Sequence, residues 1–460
     1  MDKNNGAIYD ARKLGKPKMI ILGIQHMFAM FGATILVPIL TGLDISTTLL
    51  MAGLGTLLFH CITKFKVPAF LGSSFAFLGG YAAIKAFSPN DPNSMLPYAC
   101  LGVACAGLIY FILAAVIKAV GIEKVMRFFP PVVTGPIIIA IGLGLAPSAV
   151  SNCTTNWFLA VVALAVIVVF NIWGKGMAKI IPIILGLLIS YGTGLVLYFI
   201  SQANPDLIQN VPWLFSGGAD ANGVYQPIFD FTSLNTICDN ISKGHIFGSE
   251  GLIGIPIHWD KTVFGGIDYS NGALIASSII AIVPIAFATM MEHIGDICAI
   301  SSTTGNNYIK DPGLHRTLVG DGLATTLASL FGGPANTTYG ENTGVLALTR
   351  VYDPRVIRIA AYFAVAVSFF PIVSVIIGSI PSCIIGGISF VLYGMISAIG
   401  VRNVVENKVD FTKSRNLIVA AVILVCALGL SSDTVSFTIG SAAITLSPLA
   451  VASILSLIHI

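Results

Sequence analysis

Two acidic side chains stand four residues apart inside the apolar stretch "FATMMEHIGDICAI" (287–300): Glu292 and Asp296. Residues at that spacing share a helix face, so the pair can turn two carboxylates into one space. A third acid, Glu341, follows "GGPANTTYG" (332–340), where glycine, proline and hydroxyl residues give way to helix formers. An acid within a membrane helix costs ~2.5–3.5 kcal/mol on insertion scales and marks an ion or substrate path. At a helix N-terminus the dipole steadies a carboxylate. Phe75, in "VPAFLGSSFAFLGG" (67–80), adds an aromatic face, and His26, beside Gln25 in "GIQHMFAMFGATILVP" (23–38), adds a titratable ring. His26 is open to two readings, a bond to a neighbouring helix or a proton-linked role. His293 lies off the face shared by the two acids. Carboxylates accept from ring N–H groups, backbone N–H groups donate to carbonyl oxygens, and a phenyl ring stacks on a flat surface. The set therefore suits a flat, neutral heterocycle. Paired acids can also carry a driving proton. No basic cluster accompanies them, so a purely anionic substrate would lack partners beyond helix dipoles.

The elements that must position these groups are membrane helices. The 460-residue chain is 55% hydrophobic and only 10% charged, whereas soluble domains are about one quarter charged. Its apolar runs mostly have the ~18–25 residues that cross a bilayer. They fall at 19–42, 46–63, 75–88, 98–119, 132–149, 156–173, 180–201, 271–291, 318–332, 341–349, 356–378, 382–400, 416–430 and 436–458. With the N-terminus inside, all of the 24 basic residues except Lys85, Lys243 and Lys261 fall on the inner side, as retention of positive charge requires. The polar opening "MDKNNGAIYDARKLGKPK" is not read as a signal peptide. The eight cysteines show no metal or redox spacing and are read as packing residues. No nucleophile accompanies the acids. Neither an enzyme, a cofactor, a bound metal nor a nucleic-acid partner is expected.

The expected fold is an all-α polytopic membrane protein of fourteen segments in two inverted seven-segment repeats. A polar loop, 204–270, divides the halves and is placed outside the membrane by the alternation. "VPAFLGSSFAFLGG" and "GGPANTTYGENTGV" occupy matching places before segments three and ten, each expected as a short strand plus half-helix. Interrupted segments at matching positions are the best sequence pointer to a transporter site, and irregular backbone at membrane depth must line a cavity or be buried in protein. "GPIIIAIGLGLAP" (135–147) is read as a surface for close helix approach.

These stretches carry a resemblance. "QHMFAMFGATILVP", "VPAFLGSSFAF", "EHIGD", "DPGLHR", "NTTYGENTGVLALTRVY" and "VLYGM" are similar to motifs of the nucleobase–ascorbate (nucleobase:cation symporter) family, closest to its bacterial uracil permeases. The resemblance implies proton-coupled uracil uptake by alternating access, with xanthine or urate transport, or anion exchange on the same fold, as alternatives. Sodium in place of protons stays open. It implies a cytoplasmic N-terminus (1–18), a core domain (19–119 and 271–378), a gate domain (132–201 and 382–458), and often a homodimer through the gate in the lipid of the cell membrane, both termini cytoplasmic. It implies that Glu292 and Glu341 hold the base, that Tyr339 and Gly340 offer backbone contacts, that Phe75 stacks and that Ala33 lines the pocket. Glu292, Asp296, His26 and Tyr393 would link protonation to transport. Asp296 stands where a well-known form of the uracil permease has histidine. Purine-transporting relatives usually have glutamine where Glu341 stands, so Glu341 favours uracil.

Overall fold

The computed structural model describes residues 7–125, 130–220, 222–430, 436–439, 442–445 and 448–455. Among the described residues seven helices are long and apolar enough to cross a membrane: Lys16–Thr41, Ile45–Ile62, Pro92–Val120, Pro131–Cys153, Pro182–Ala203, Gly272–Thr304 and Ser382–Glu406. Trp157–Trp173 and Ser414–Gly429 are shorter apolar helices. Large apolar side chains stay exposed on them, among them Trp173, Leu188, Phe199 and Val425, as expected where lipid is the solvent. The polytopic helical fold expected from the apolar runs is the one observed.

Several segments differ in detail from the expectation. Segment eight does not end at 291: the helix Ala286–Thr304 continues through the acids. Polar residues from Glu292 to Thr304 lower the local hydropathy, while the backbone hydrogen bonding carries on. Segment eleven is broken into Pro354–Ser368 and Pro371–Gly378, because Pro371 has no N–H to continue the first helix. The last apolar run, 436–458, is not one helix. Ser436–Ile439 pairs antiparallel with Ala442–Thr445, and among the described residues of this run Pro448–Leu455 is the helical part. Thr438, Ile439, Ile444 and Thr445 are β-branched, and Gly440-Ser441, outside the described residues, stands between the strands. The loop 204–270 carries a hairpin, Ser216–Ala219 with Tyr225–Pro227, and the helix Thr232–Ser242.

The chain forms two compact units. The first comprises Met1–Ile141, Pro256–Ser368 and Ser397–Ile460; the second comprises Gly142–Ile255 and Phe369–Ile396.

In the first unit glycines set helix spacing. A Cβ on Gly107 would meet the Gly322 carbonyl at 2.7 Å, and one on Gly322 would meet the Gly107 carbonyl at 2.6 Å. The helices Leu96–Val120 and Leu314–Leu330 therefore touch backbone to backbone, and Thr326 Oγ1 donates to the Ala104 carbonyl across the contact at 3.1 Å. Gly135 and Gly400 pair in the same manner, a Cβ on Gly400 lying 2.8 Å from the Gly135 carbonyl. The second unit repeats the device, with Gly386 against Ala149 and Cys153.

Candidate functional site

The two interrupted segments meet. Leu71–Ser73 and Asn336–Thr338 form a two-stranded antiparallel crossing in the register Leu71 with Thr338, Gly72 with Thr337 and Ser73 with Asn336. Both strands are fully buried, so their polar backbone must be satisfied locally. Ser74 N–H donates to the Ala335 carbonyl (2.9 Å) and Tyr339 N–H to the Phe70 carbonyl (3.0 Å). Flanking helices supply the rest. Thr56 Oγ1 accepts from Leu71 N–H at 2.9 Å, Thr325 Oγ1 donates to the Asn336 carbonyl at 2.6 Å, and Asn336 Nδ2 donates to the Met51 carbonyl at 2.9 Å. Ser73 Oγ donates to the Thr34 carbonyl at 2.9 Å. The run of hydroxyl and amide residues in "ANTTYG" and "LGSS" thus binds the crossing to its supports.

Each strand leads into a half-helix, Leu78–Lys85 and Gly340–Thr349. Other helices here have side-chain caps: Asp44 bonds Thr47 N–H, Asn156 bonds Leu159 N–H and Asn271 bonds Leu274 N–H. The two half-helices have none. Their first-turn N–H groups lack intrahelical partners and carry the positive dipole end. Tyr339 N–H is taken by Phe70, so the donors of the second half-helix begin at Gly340.

The helix Ala286–Thr304 packs against this end. Glu292 and Asp296 are both half-buried. Asp296 Oδ2 accepts from Thr338 Oγ1 at 2.8 Å, and a Cβ on Gly340 would lie 3.6 Å from Asp296 Oδ1. Asp296 therefore sits at the start of the second half-helix. Glu341 is the second residue of that helix; its side chain lies outside the described residues. Tyr339 is buried, its hydroxyl donating to the Ser73 carbonyl at 2.9 Å and accepting from Thr34 Oγ1 at 3.3 Å. That bond ties it to the neighbour of Ala33, which is fully buried. Phe75, also buried, follows two residues after Ser73. His26 is fully buried, and Asn342 Nδ2 lies 3.2 Å from its Nδ1. Tyr393 is buried in the second unit.

Sequence reasoning missed two participants. Asp321, in the helix Leu314–Leu330, is completely buried, and its Oδ2 lies 3.3 Å from His293 Nδ1, also completely buried. His293 Nδ1 is in turn 3.4 Å from Thr338 Oγ1. A chain of side chains thus runs Asp296–Thr338–His293–Asp321. The signal for Asp321 was present, an acid inside an apolar run, but "VGDGLATT" reads as a weak, glycine-loosened helix. His293 is set off the carboxylate face by its helix angle, and that angle turns it toward Asp321.

Two half-helices that begin at a buried strand crossing, the second opening beside the Asp296 carboxylate of a third helix, define a membrane transporter of the inverted-repeat class. The chain belongs to the Permease family, whose model matches residues 17–435. It is 38% identical over 421 residues to a uracil permease of Bacillus caldolyticus, covering 89% of this chain and 85% of that one. It is 37% identical over 423 residues to a uracil permease of Bacillus subtilis (strain 168), covering 89% and 85%. A uracil permease of Escherichia coli (strain K12) is 32% identical over 428 residues, covering 91% and 85%. Among solved structures, the transmembrane domain of a cyanobacterium bicarbonate transporter, BicA, has a TM-score of 0.63 at 12% identity, covering 97% of this chain and 99% of that one. SLC26A9 has a TM-score of 0.52 at 11% identity, covering 98% and 66%. These two share the fold.

Proposed function

We propose that the chain takes up uracil across the cell membrane in symport with a proton. The observation that carries the reading is the convergence of uncapped half-helices and half-buried acids in a chain so similar to uracil permeases. Glu292 and Glu341 accept the ring N–H groups of uracil. The N–H groups from Gly340 onward donate to a carbonyl, Phe75 stacks on the ring and Ala33 closes the wall. Uracil offers two N–H donors and two carbonyl acceptors, which such a set matches.

The proton resides among Glu292, Asp296 and the buried His293–Asp321 pair, with Thr338 as the hydroxyl between Asp296 and His293. His26 acts through Asn342, the residue next to Glu341, and Tyr393 belongs to the supporting network. In the cycle, uracil and proton enter from outside, core and gate shift against each other, and both are released inside. Positive charge on the N-terminal side supports cytoplasmic termini. We further propose that the protein works as a homodimer through its gate.

The test is uptake of labelled uracil into proteoliposomes with and without an imposed pH gradient. The expected result is uptake that the inward proton gradient accelerates several-fold and that 5-substituted uracils compete away. Uptake driven only by sodium would remove the proton. Competition by xanthine alone would reassign the substrate.

A further inference from the structure

A cavity lies away from the strand crossing. The N-terminal segment runs across the far end of the second half-helix: Ile8 N–H donates to the Arg350 carbonyl and Tyr352 N–H to the Ile8 carbonyl, each at 2.8 Å. Beside it is a cavity of about 470 Å³ lined by Tyr9, Phe65, Asn306, Asn307, Tyr352 and Arg358, within the size range of small-molecule sites. With the orientation proposed above, it opens to the cytoplasm.

Three features of its wall point to one ligand chemistry. First, the rings of Tyr9 and Tyr352 pack at 5.5 Å, and the Phe65 ring is 51% exposed. These are flat apolar faces, with the Asn306 and Asn307 amides beside them. Second, the cations are unequally matched. Lys66 is held by Asp311 at 2.6 Å, and Arg355 by Asp10 at 3.0 Å and Asp353 at 3.1 Å. Arg358 lies over the Phe65 ring, 4.9 Å from its guanidinium carbon, and feels Asp353 only at a distance, forming no ion pair of its own among the described residues. Its buried Nη1 has no hydrogen-bond partner among the described residues. A planar guanidinium with an unpaired Nη1 suits a phosphate. Third, Lys64 and Phe65 are consecutive non-glycine residues in the left-handed region, φ 57° and 58°. Such a conformation is unfavourable for a residue with a Cβ, and retained strain of this kind clusters at ligand clamps. Here the strained turn carries the Phe65 ring that stands beneath Arg358.

We propose that this cavity is a regulatory site for a nucleoside monophosphate, the phosphate on Arg358 and the base against Phe65, Tyr9 and Tyr352. Asp311 and Asp353 are paired with Lys66 and Arg355, and Arg358, which neither acid contacts directly, is the cation left for the phosphate. The strap is bonded to Arg350 and Tyr352, immediately after the half-helix Gly340–Thr349. A ligand that locks strap to cavity therefore restrains that half-helix and slows uptake. A base that has been imported and then joined to a ribose phosphate has this chemistry.

The test is calorimetric titration of the purified protein with uridine monophosphate, in saturating uracil and in nanodiscs of neutral lipid. The expected result is one site per chain, with inorganic phosphate and uridine each at least tenfold weaker. Arg358→Gln should weaken binding at least tenfold. Phe65→Gly removes the ring and relaxes the φ 58° position, so it should fold, bind uracil as the parent does and lose the nucleotide several-fold. In proteoliposomes, nucleotide on the inner side should lower uracil uptake at least twofold in the parent and not in Phe65→Gly. Four outcomes overturn the proposal: no binding by the parent at millimolar nucleotide, displacement of the nucleotide by uracil, binding untouched by both substitutions, or unchanged uptake. Occupancy by phosphatidylglycerol nanodiscs in place of nucleotide would make it a lipid-headgroup site and overturn it equally.

Discussion

Gly72→Ala places one methyl group at the strand crossing. An ideal Cβ at this position lies 2.5 Å from Cε2 and Cζ of Tyr339 and 2.7 Å from Thr34 Oγ1. Contacts under 3.0 Å are not sustained, so the Tyr339 ring must move by about 1 Å. It is anchored by its hydroxyl to the Ser73 carbonyl and to Thr34, and it is buried. Overpacking of this kind costs about 1–3 kcal/mol, and a strained or broken buried hydrogen bond adds about 1 kcal/mol. The sum, roughly 2–4 kcal/mol, falls at the residue before Gly340. Two measurements read it: the melting midpoint in detergent, which should drop by several degrees, and the dissociation constant for uracil, which should rise at least tenfold. A double-mutant cycle isolates the contact. In a Tyr339→Val background the ring is absent and Thr34 Oγ1 can rotate, so adding Gly72→Ala should cost under about 1 kcal/mol, a coupling of 1 kcal/mol or more. If Gly72→Ala is neutral by itself, or costs the same in both backgrounds, the crossing does not have this geometry and the argument for the site loses its support.

Glu341→Gln should abolish uracil binding with expression intact; near-normal uptake would refute its assigned role. Asp296→Asn should change the pH dependence of uptake more than the affinity for uracil, and Thr338→Val should reproduce part of that change, because it removes the 2.8 Å hydrogen bond to Asp296. Asp321→Leu should be better tolerated in stability than His293→Leu, since the second leaves a fully buried carboxyl group without its imidazole neighbour; expression and melting midpoint decide. At the strap, hydrogen bonds from the Arg12 guanidinium hold the Asp10 carboxyl well below the usual carboxylate range. A depressed carboxyl contributes fully above its unfolded pKa of about 3.9 and loses that contribution only as pH falls below it. Hydrogen-exchange protection of residues 8–14, corrected for intrinsic rates, should thus be constant from pH 8 to 5.5, and lower throughout in Asp10→Asn.

Composition and pattern by themselves determined that this chain is a many-helix membrane protein and where two segments are interrupted. Those properties follow from local hydropathy, charge and glycine, proline and hydroxyl content, and they survive in a one-dimensional reading. The same is true of Glu292, His26 and Phe75 as candidates, since an ionisable or marked residue in an apolar run stands out without coordinates. Local hydropathy failed where it was diluted or mimicked. It ended segment eight at 291 although the helix runs to Thr304, and it read the paired strands Ser436–Ile439 and Ala442–Thr445 as helix. Only the tertiary structure decided that Leu71–Ser73 and Asn336–Thr338 pair, more than 260 residues apart, and that Thr338 bonds Asp296. It alone turned His293 onto Asp321. Partner choice of that kind depends on helix rotation and on the close approach of glycine backbones such as Gly107 and Gly322. Neither is encoded at the residue where its consequence appears.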